Sequence, residues 1–246
     1  MATSTETNFS VCLGVSGSVA AVKTPELCAA LLAAGVCVDV VLTDSAVKLL
    51  EAEYNGQQPL AQLMSLIEQY PASSAVTLHL YRDSDEWDTY AKVGSDPVLH
   101  IELAKRNSLL LIAPLCANTL ASCALGMCGS LLTSVVRAWY YDLEDEFAQP
   151  IAAAHGEHAV NKPFVIAPAM NTFMWHQRVT SEHLSVLQRR GVHVVPPVSK
   201  ALACGDTGMG AMASVPTITN EVLRLLSHHV AAAREAREAG KPAFEP

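Results

Sequence analysis

The sequence predicts a single-domain α/β fold in which an open parallel sheet carries helices on both faces. Three observations lead there. Short runs at 11–15, 108–113 and 164–167 are apolar along almost their whole length. Helical patterns separate them, and polar or glycine-bearing turns stand where a run meets the next helix. A strand that is apolar throughout, rather than alternating, is buried on both sides, as in a parallel sheet between two helix layers. The length of 246 residues suits one large domain, and half hydrophobic residues against 16% charged supply its core.

The elements follow in order. The run 11–15 ends at Gly17-Ser18, and a helical pattern at 20–34 stops at Gly35, a residue that tolerates the left-handed conformation beyond a helix end. Residues 36–42 form a second strand, and Thr43-Asp44-Ser45 opens another helix. A third strand is expected at 75–80, followed by an acidic, aromatic loop at 82–90. Asp96-Pro97 has the chemistry of a helix start. Further strands at 108–113, 164–167 and 193–195 flank helices at 117–139 and 181–190, the latter closed by Gly191. This alternation belongs to the flavodoxin/Rossmann-like sheets. The domain is expected to span 9–230, after a disordered N-terminus at 1–8 and before a C-terminal tail at 231–246 that begins as a fraying helix. Within it, 140–162 is acidic, then alanine-rich, and reads as a surface insertion.

The stretch 107–136 contains no charge. Pro114, Asn118, Thr119, Gly126 and Gly129 interrupt it, so it reads as a buried strand and helix, not a membrane span. A formal net charge of −8 argues against a nucleic-acid partner, which would require a basic stripe. The polar N-terminus lacks a basic and then apolar signal pattern. The seven cysteines form no zinc spacing and cannot all pair, so a reducing cytoplasmic setting is expected.

Several segments carry chemistry. Gly14-Val15-Ser16-Gly17-Ser18 is either an ordinary tight βα turn or a phosphate cradle, and it lacks the spacing of a dinucleotide fingerprint. Cys116-Ala117-Asn118-Thr119 either caps a helix or donates to a phosphate. With Thr43-Asp44-Ser45 these give three polar strand-ends that can converge at one sheet edge. His100 stands in the first turn of a helix, where the dipole favours neutral imidazole, a base or a partner for a carboxylate. Pro168-Ala169-Met170-Asn171 places a side-chain amide at a strand end. Cys204 lies among Gly205, Gly208 and Gly210, whose density predicts a mobile, turn-rich loop closing over a ligand. A thiol is acidic enough near neutrality to act as proton donor or nucleophile.

Together, Gly17-Ser18-Val19-Ala20-Ala21-Val22-Lys23, Val98-Leu99-His100-Ile101-Glu102-Leu103, Ala113 to Thr119, Pro168 to Asn171 and the Cys204 segment resemble the homo-oligomeric flavin-containing cysteine decarboxylases. The resemblance runs from Phe9 to Leu223, broken by the insertion. It implies FMN bound at Gly17, Ser18, Val19, Thr43, Asp44, Ser45, Cys116, Ala117, Asn118, Thr119 and Ala169. It implies His100 as base or carboxylate partner, Asn171 on the substrate carboxylate, Cys204 as acid, and Ala203 and Met212 touching substrate in the flap. The implied reaction is decarboxylation of 4′-phosphopantothenoylcysteine by transient thiol oxidation, loss of CO2 and re-reduction. The implied assembly is a homotrimer, or a heterotrimer with a paralogue, with sites between chains. The family also includes halotolerance-type regulators of a type-1 protein phosphatase, the alternative role. The chain departs from the family pattern at Cys116, Asp44, Ala201 and Gly129-Ser130.

Overall fold

The computed structural model of the protein describes residues 9–88, 90–201, 207–242 and 244. Six strands form a wholly parallel sheet: β1 (Ser10–Val15), β2 (Cys37–Leu42), β3 (Leu78–Arg82), β4 (Leu109–Leu115), β5 (Phe164–Pro168) and β6 (His193–Val194). Their order is β3-β2-β1-β4-β5-β6, the doubly wound Rossmann arrangement. The chain turns outward in opposite directions from β1 and β4. A crevice therefore opens between their carboxyl ends, where such sheets hold ligands.

Alternate residues of each strand serve the two core layers. Val11, Leu13 and Val15 of β1 join one layer, while Cys12 joins the other. On β4, Leu109, Leu111 and Ala113 face the first layer, with Leu110, Ile112 and Leu115 facing the second. Helices α1 (Thr24–Ala33), α2 (Asp44–Glu51) and α3 (Pro59–Gln69) cover the first face through Leu27, Leu31, Leu50 and Leu63. After the one-turn α4 (Asp85–Asp88), α5 (Leu99–Arg106), α6 (Ala117–Leu125) and α7 (Leu131–Ala138) cover the second through Leu103, Leu120, Leu132 and Val135. The remaining helices are α8 (Asp145–His155), α9 (Thr172–His176), α10 (Arg178–Arg189) and α11 (Val215–Glu238). Ile218 and Val222 bring α11 onto the first face, and Leu187 brings α10 onto the second. Helices on both faces thus match the expected class.

Several boundaries differ from the sequence expectations. The pattern at 20–34 divides into a 3-10 turn (Val19–Lys23) and α1, whose Pro25 lacks the N–H that would continue the first helix. The helical stretch 117–139 breaks at Gly126, which is left-handed at φ 71°, and restarts at Ser130 with a capping box to Thr133. Asp96 does not cap α5. Its carboxylate accepts from the Ala91 and Lys92 amides at 2.8 and 2.7 Å, and α5 begins only at Leu99.

The segment 140–162 contains α8 and a second 3-10 turn (Glu157–Ala159), and α11 runs past residue 230 to Glu238. These two parts order each other. His155 Nδ1–H donates to the Pro242 carbonyl at 2.9 Å, and the Tyr140 and His155 rings both meet Phe244. Lys162 donates to the carbonyls of Ala104, Lys105 and Asn107 at 2.8–3.0 Å, the favourable charge for the C-terminal end of α5. The expected disordered segment 1–8 lies outside the described residues.

His229 on α11 stacks edge-on with His158, ring centroids 6.1 Å apart. Burial, with His158 and Lys162 close by, pushes His229 down from 6.5 to about 4. Its neutral form is favoured in the folded chain. The stabilising contribution is therefore complete above the unfolded value and is lost as pH falls from 6.5 towards about 4. In His229→Leu, the drop in Tm between those pH values should shrink by several degrees. An acid slope identical to that of the parent chain would count against this assignment.

Candidate active site

Ser16 ties the two sides of the crevice together. Fully buried, its hydroxyl donates to the Pro114 carbonyl and accepts from the Cys116 amide, both at 2.8 Å. The end of β1 is thereby fixed against the end of β4. Gly17 follows, and its missing side chain matters. A Cβ there would stand 2.7 Å from Ser45 Cβ, so only glycine lets the β1 turn approach the first turn of α2. Ser18 accepts from the Ala20 amide at 3.4 Å, and Thr43 caps α2 by accepting from Ala46 at 3.3 Å.

These elements frame an open cleft of about 330 Å3. Among its lining residues are Gly17, Thr43, Asp44, Ser45, Cys116, Asn118 and Thr119. Three strand-ends expected to converge therefore do so. Ser18, Val19, Ala117 and Ala169 do not line it; Val19 is exposed beside it, while Ala169 is buried with its amide donating to Leu115 O at 2.9 Å. Burial alone would raise the Cys116 thiol. Hydrogen bonds from the Ser16 and Thr119 side chains and the Thr119 and Asn118 backbone outweigh it and hold the thiol below its usual value. The Cys116 Sγ lies 3.4 Å from Thr119 Oγ1 in the first turn of α6. The local field at this helix entrance favours negative charge, as a phosphate site requires.

The cleft also has acidic lining residues. Asp83 joins Asp44 there, and its Oδ1 accepts from the Leu131 amide at the start of α7 at 2.8 Å. Burial raises the Asp83 carboxyl; Asp44 adds to the rise, and the Leu131 amide opposes it. The cleft thus offers an anion-favouring end and a wall of hydrogen-bond acceptors.

The acidic loop after β3 is a set of engaged carboxylates. Asp83 reaches α7, Asp85 accepts from the Arg82 amide at 2.8 Å, and Glu86 reaches α5. Glu86 Oε1 lies 2.6 Å from His100 Nδ1, and its Oε2 accepts from the His100 amide at 3.2 Å. The Glu86 side chain is 8% exposed and that of His100 25%. His100 is partly open to solvent and does not line the cleft.

Asn171 ends the β5 segment as the cap of α9, accepting from the Phe173 amide at 2.8 Å. Beside it lies an antiparallel hairpin of β7 (Val198–Ala201) and β8 (Thr207–Ala211). Of the glycines expected to make mobile turns, Gly208 and Gly210 instead form part of β8, where they permit close approach, and Gly205 lies outside the described residues. Gly210 has φ +131° and accepts from the Met170 amide at 2.9 Å; a Cβ there would strike the Met170 carbonyl. A Cβ at Gly208 would stand 2.7 Å from Thr172 Oγ1. The hairpin is laid along residues 170–172, and the Ala201–Thr207 pair closes its described part. Ala203 and Cys204 lie outside the described residues. Met212, expected to touch substrate, packs half-buried against the first core layer where the chain returns to α11.

A larger open groove, about 540 Å3, runs along α8. None of its lining residues comes from the carboxyl edge of the sheet, so the smaller cleft is the better candidate. Sequence reasoning missed Ser16, Asp83 and Glu86.

A doubly wound sheet with an anion-favouring cleft at its switch point defines a nucleotide-type cofactor fold. Residues 2–227 match the family model described as Flavoprotein, and the chain belongs to that family. It is 40% identical to phosphopantothenoylcysteine decarboxylase of Mus musculus, covering 92% of this chain and 91% of that protein. A solved phosphopantothenoylcysteine (PPC) decarboxylase mutant complexed with pantothenoylaminoethenethiol superposes with TM-score 0.68 at 36% identity, covering 89% of this chain and 99% of that one. The FMN binding protein AtHal3 superposes with TM-score 0.66, also at 36% identity, with coverages of 90% and 98%.

Proposed function

We propose that the protein is an FMN-dependent enzyme that decarboxylates 4′-phosphopantothenoylcysteine to 4′-phosphopantetheine, a step of coenzyme A biosynthesis. The observation that carries this reading is the convergence of Gly17, the Thr43–Ser45 turn and the Cys116–Thr119 entrance on one cleft. It occurs in a chain closely similar to a PPC decarboxylase over most of its length. The donor set fits FMN. The α6 entrance suits the phosphate, and Asp83, Asp44 and Thr43 suit a hydroxyl-bearing chain. Ser18, Val19, Ala117 and Ala169 flank these positions.

Bound FMN supplies reversible two-electron chemistry, which turns the substrate thiol into an electron sink for loss of CO2 and then restores it. The protein's part is positioning and proton transfer. His100 accepts the thiol proton or pairs with the substrate carboxylate. The Asn171 amide suits the same carboxylate, and Cys204 gives the final proton. Ala203 belongs to the flap that covers the substrate, and Met212 anchors the base of that flap on the first core layer.

The reading includes a homotrimer, or a heterotrimer with a paralogue, whose sites lie between subunits. Phe173 and Met174, exposed on α9 next to Asn171, support an interface there. It also includes a cytosolic location, which suits the free thiols Cys12, Cys28, Cys37, Cys116, Cys123 and Cys128.

Denaturation of the purified protein should release FMN and not FAD. Gly17→Val should fold yet lose FMN occupancy by at least about tenfold, because a clash of the kind described at Ser45 must push the turn out of the crevice. Full occupancy in that variant, measured by absorbance of the released flavin, would move the cofactor elsewhere.

A further inference from the structure

We propose that Glu86 is the positioning residue for His100, fixing its tautomer and ring plane so that Nε2 is the nitrogen offered to the substrate. This rests on the reading of His100 as the active-site base.

The warrant is geometric. Both oxygens of one carboxylate are given to a single residue, Oε2 to the His100 amide and Oε1 to its ring, at 3.2 and 2.6 Å. A helix cap needs only the first of these contacts. Val98 offers α5 no side-chain cap, so the amide contact answers a real need, while the ring contact does something else. An ionised carboxylate only accepts hydrogen bonds, so Nδ1 must carry the proton. The lone pair of neutral His100 then belongs to Nε2. A carboxylate that orients imidazole in this manner governs both its tautomer and its ring angle.

Burial strengthens the case. The Glu86 side chain is only 8% exposed, and its hydrogen bonds among the described residues both go to residue 100. The short α4 turn that carries it is itself held by Asp85, which accepts from the Arg82 amide. The segment therefore delivers a fixed carboxylate to the base from 14 residues away.

The test is Glu86→Gln in the FMN-loaded protein. The amide oxygen can still cap α5, but its NH2 then faces Nδ1 as a donor and favours the opposite tautomer. CO2 release should fall by about 100-fold or more in kcat, with KM changed less than about threefold and FMN content retained. Adding Glu86→Gln to His100→Asn should cost nothing further, since the two act as a unit. In the unsubstituted holoprotein, 15N-histidine NMR should show Nδ1 protonated on the resonance that disappears in His100→Asn; this readout does not depend on how the variant folds. Turnover of Glu86→Gln within about threefold of the parent, or the Nε2–H tautomer in the NMR spectrum, overturns the proposal. Loss of activity in His100→Asn with normal activity in Glu86→Gln would reject Glu86 alone. Normal activity in His100→Asn would instead reject the base assignment.

Discussion

His100→Asn is expected to lower CO2 release by about three orders of magnitude while the chain folds and keeps its FMN. The side chain sits at the start of α5, partly open to solvent, and its loss leaves no cavity in either core layer. Asparagine can still donate to Glu86, so the buried carboxylate keeps a partner. The cofactor cleft is lined from other elements. What the variant lacks is an imidazole nitrogen that can accept the substrate's proton. Turnover assays beside a flavin spectrum check both halves of this statement. Near-parental turnover would remove His100 from the chemistry.

Cys204→Ser should separate two halves of the reaction. Serine is a far weaker acid than cysteine, so the final protonation should stall. Thiol oxidation and loss of CO2 come earlier and should survive for one turnover. The expected result is a burst of CO2 near one equivalent per site, with the flavin colour bleached until oxygen is admitted. The released product should be an ene-thiol, lighter than 4′-phosphopantetheine by one pair of hydrogens in the mass spectrum. Normal product at an undiminished rate would show that Cys204 only shapes the flap. The hairpin strands on either side of it in the sequence lie along residues 170–172.

Local patterns were legible in the sequence where local chemistry decides the structure. Strands β1, β4 and β5 read clearly because they are apolar along most of their length and buried on both faces. The edge strand β3 is mostly half-buried, and its assignment fell short of Arg82 for that reason. The turns at Gly17, Thr43 and Cys116 announced themselves by capping and glycine chemistry. Contacts between distant residues were not legible. Ser16 matters because of Pro114, 98 residues on; Asp83 because of Leu131, 48 residues on; Glu86 because of His100. In the sequence these were a turn serine and members of an acidic loop. Gly208 and Gly210 were recognised as special, but the contact each serves was not legible: their lack of a side chain allows close packing against Thr172 and Met170. The end of α11 was legible as a helix running into a tail, whereas α8 was missed, and its contacts with Pro242 and Phe244 are tertiary ones that no local pattern carries.

The most direct test of the central claim is anaerobic incubation of the FMN-loaded protein with 4′-phosphopantothenoylcysteine and no added oxidant, reductant or nicotinamide. The account predicts many turnovers, equal amounts of CO2 and 4′-phosphopantetheine, and a flavin that ends oxidised once substrate is exhausted. A protein that binds FMN yet releases no CO2, and instead inhibits a type-1 protein phosphatase, would contradict it.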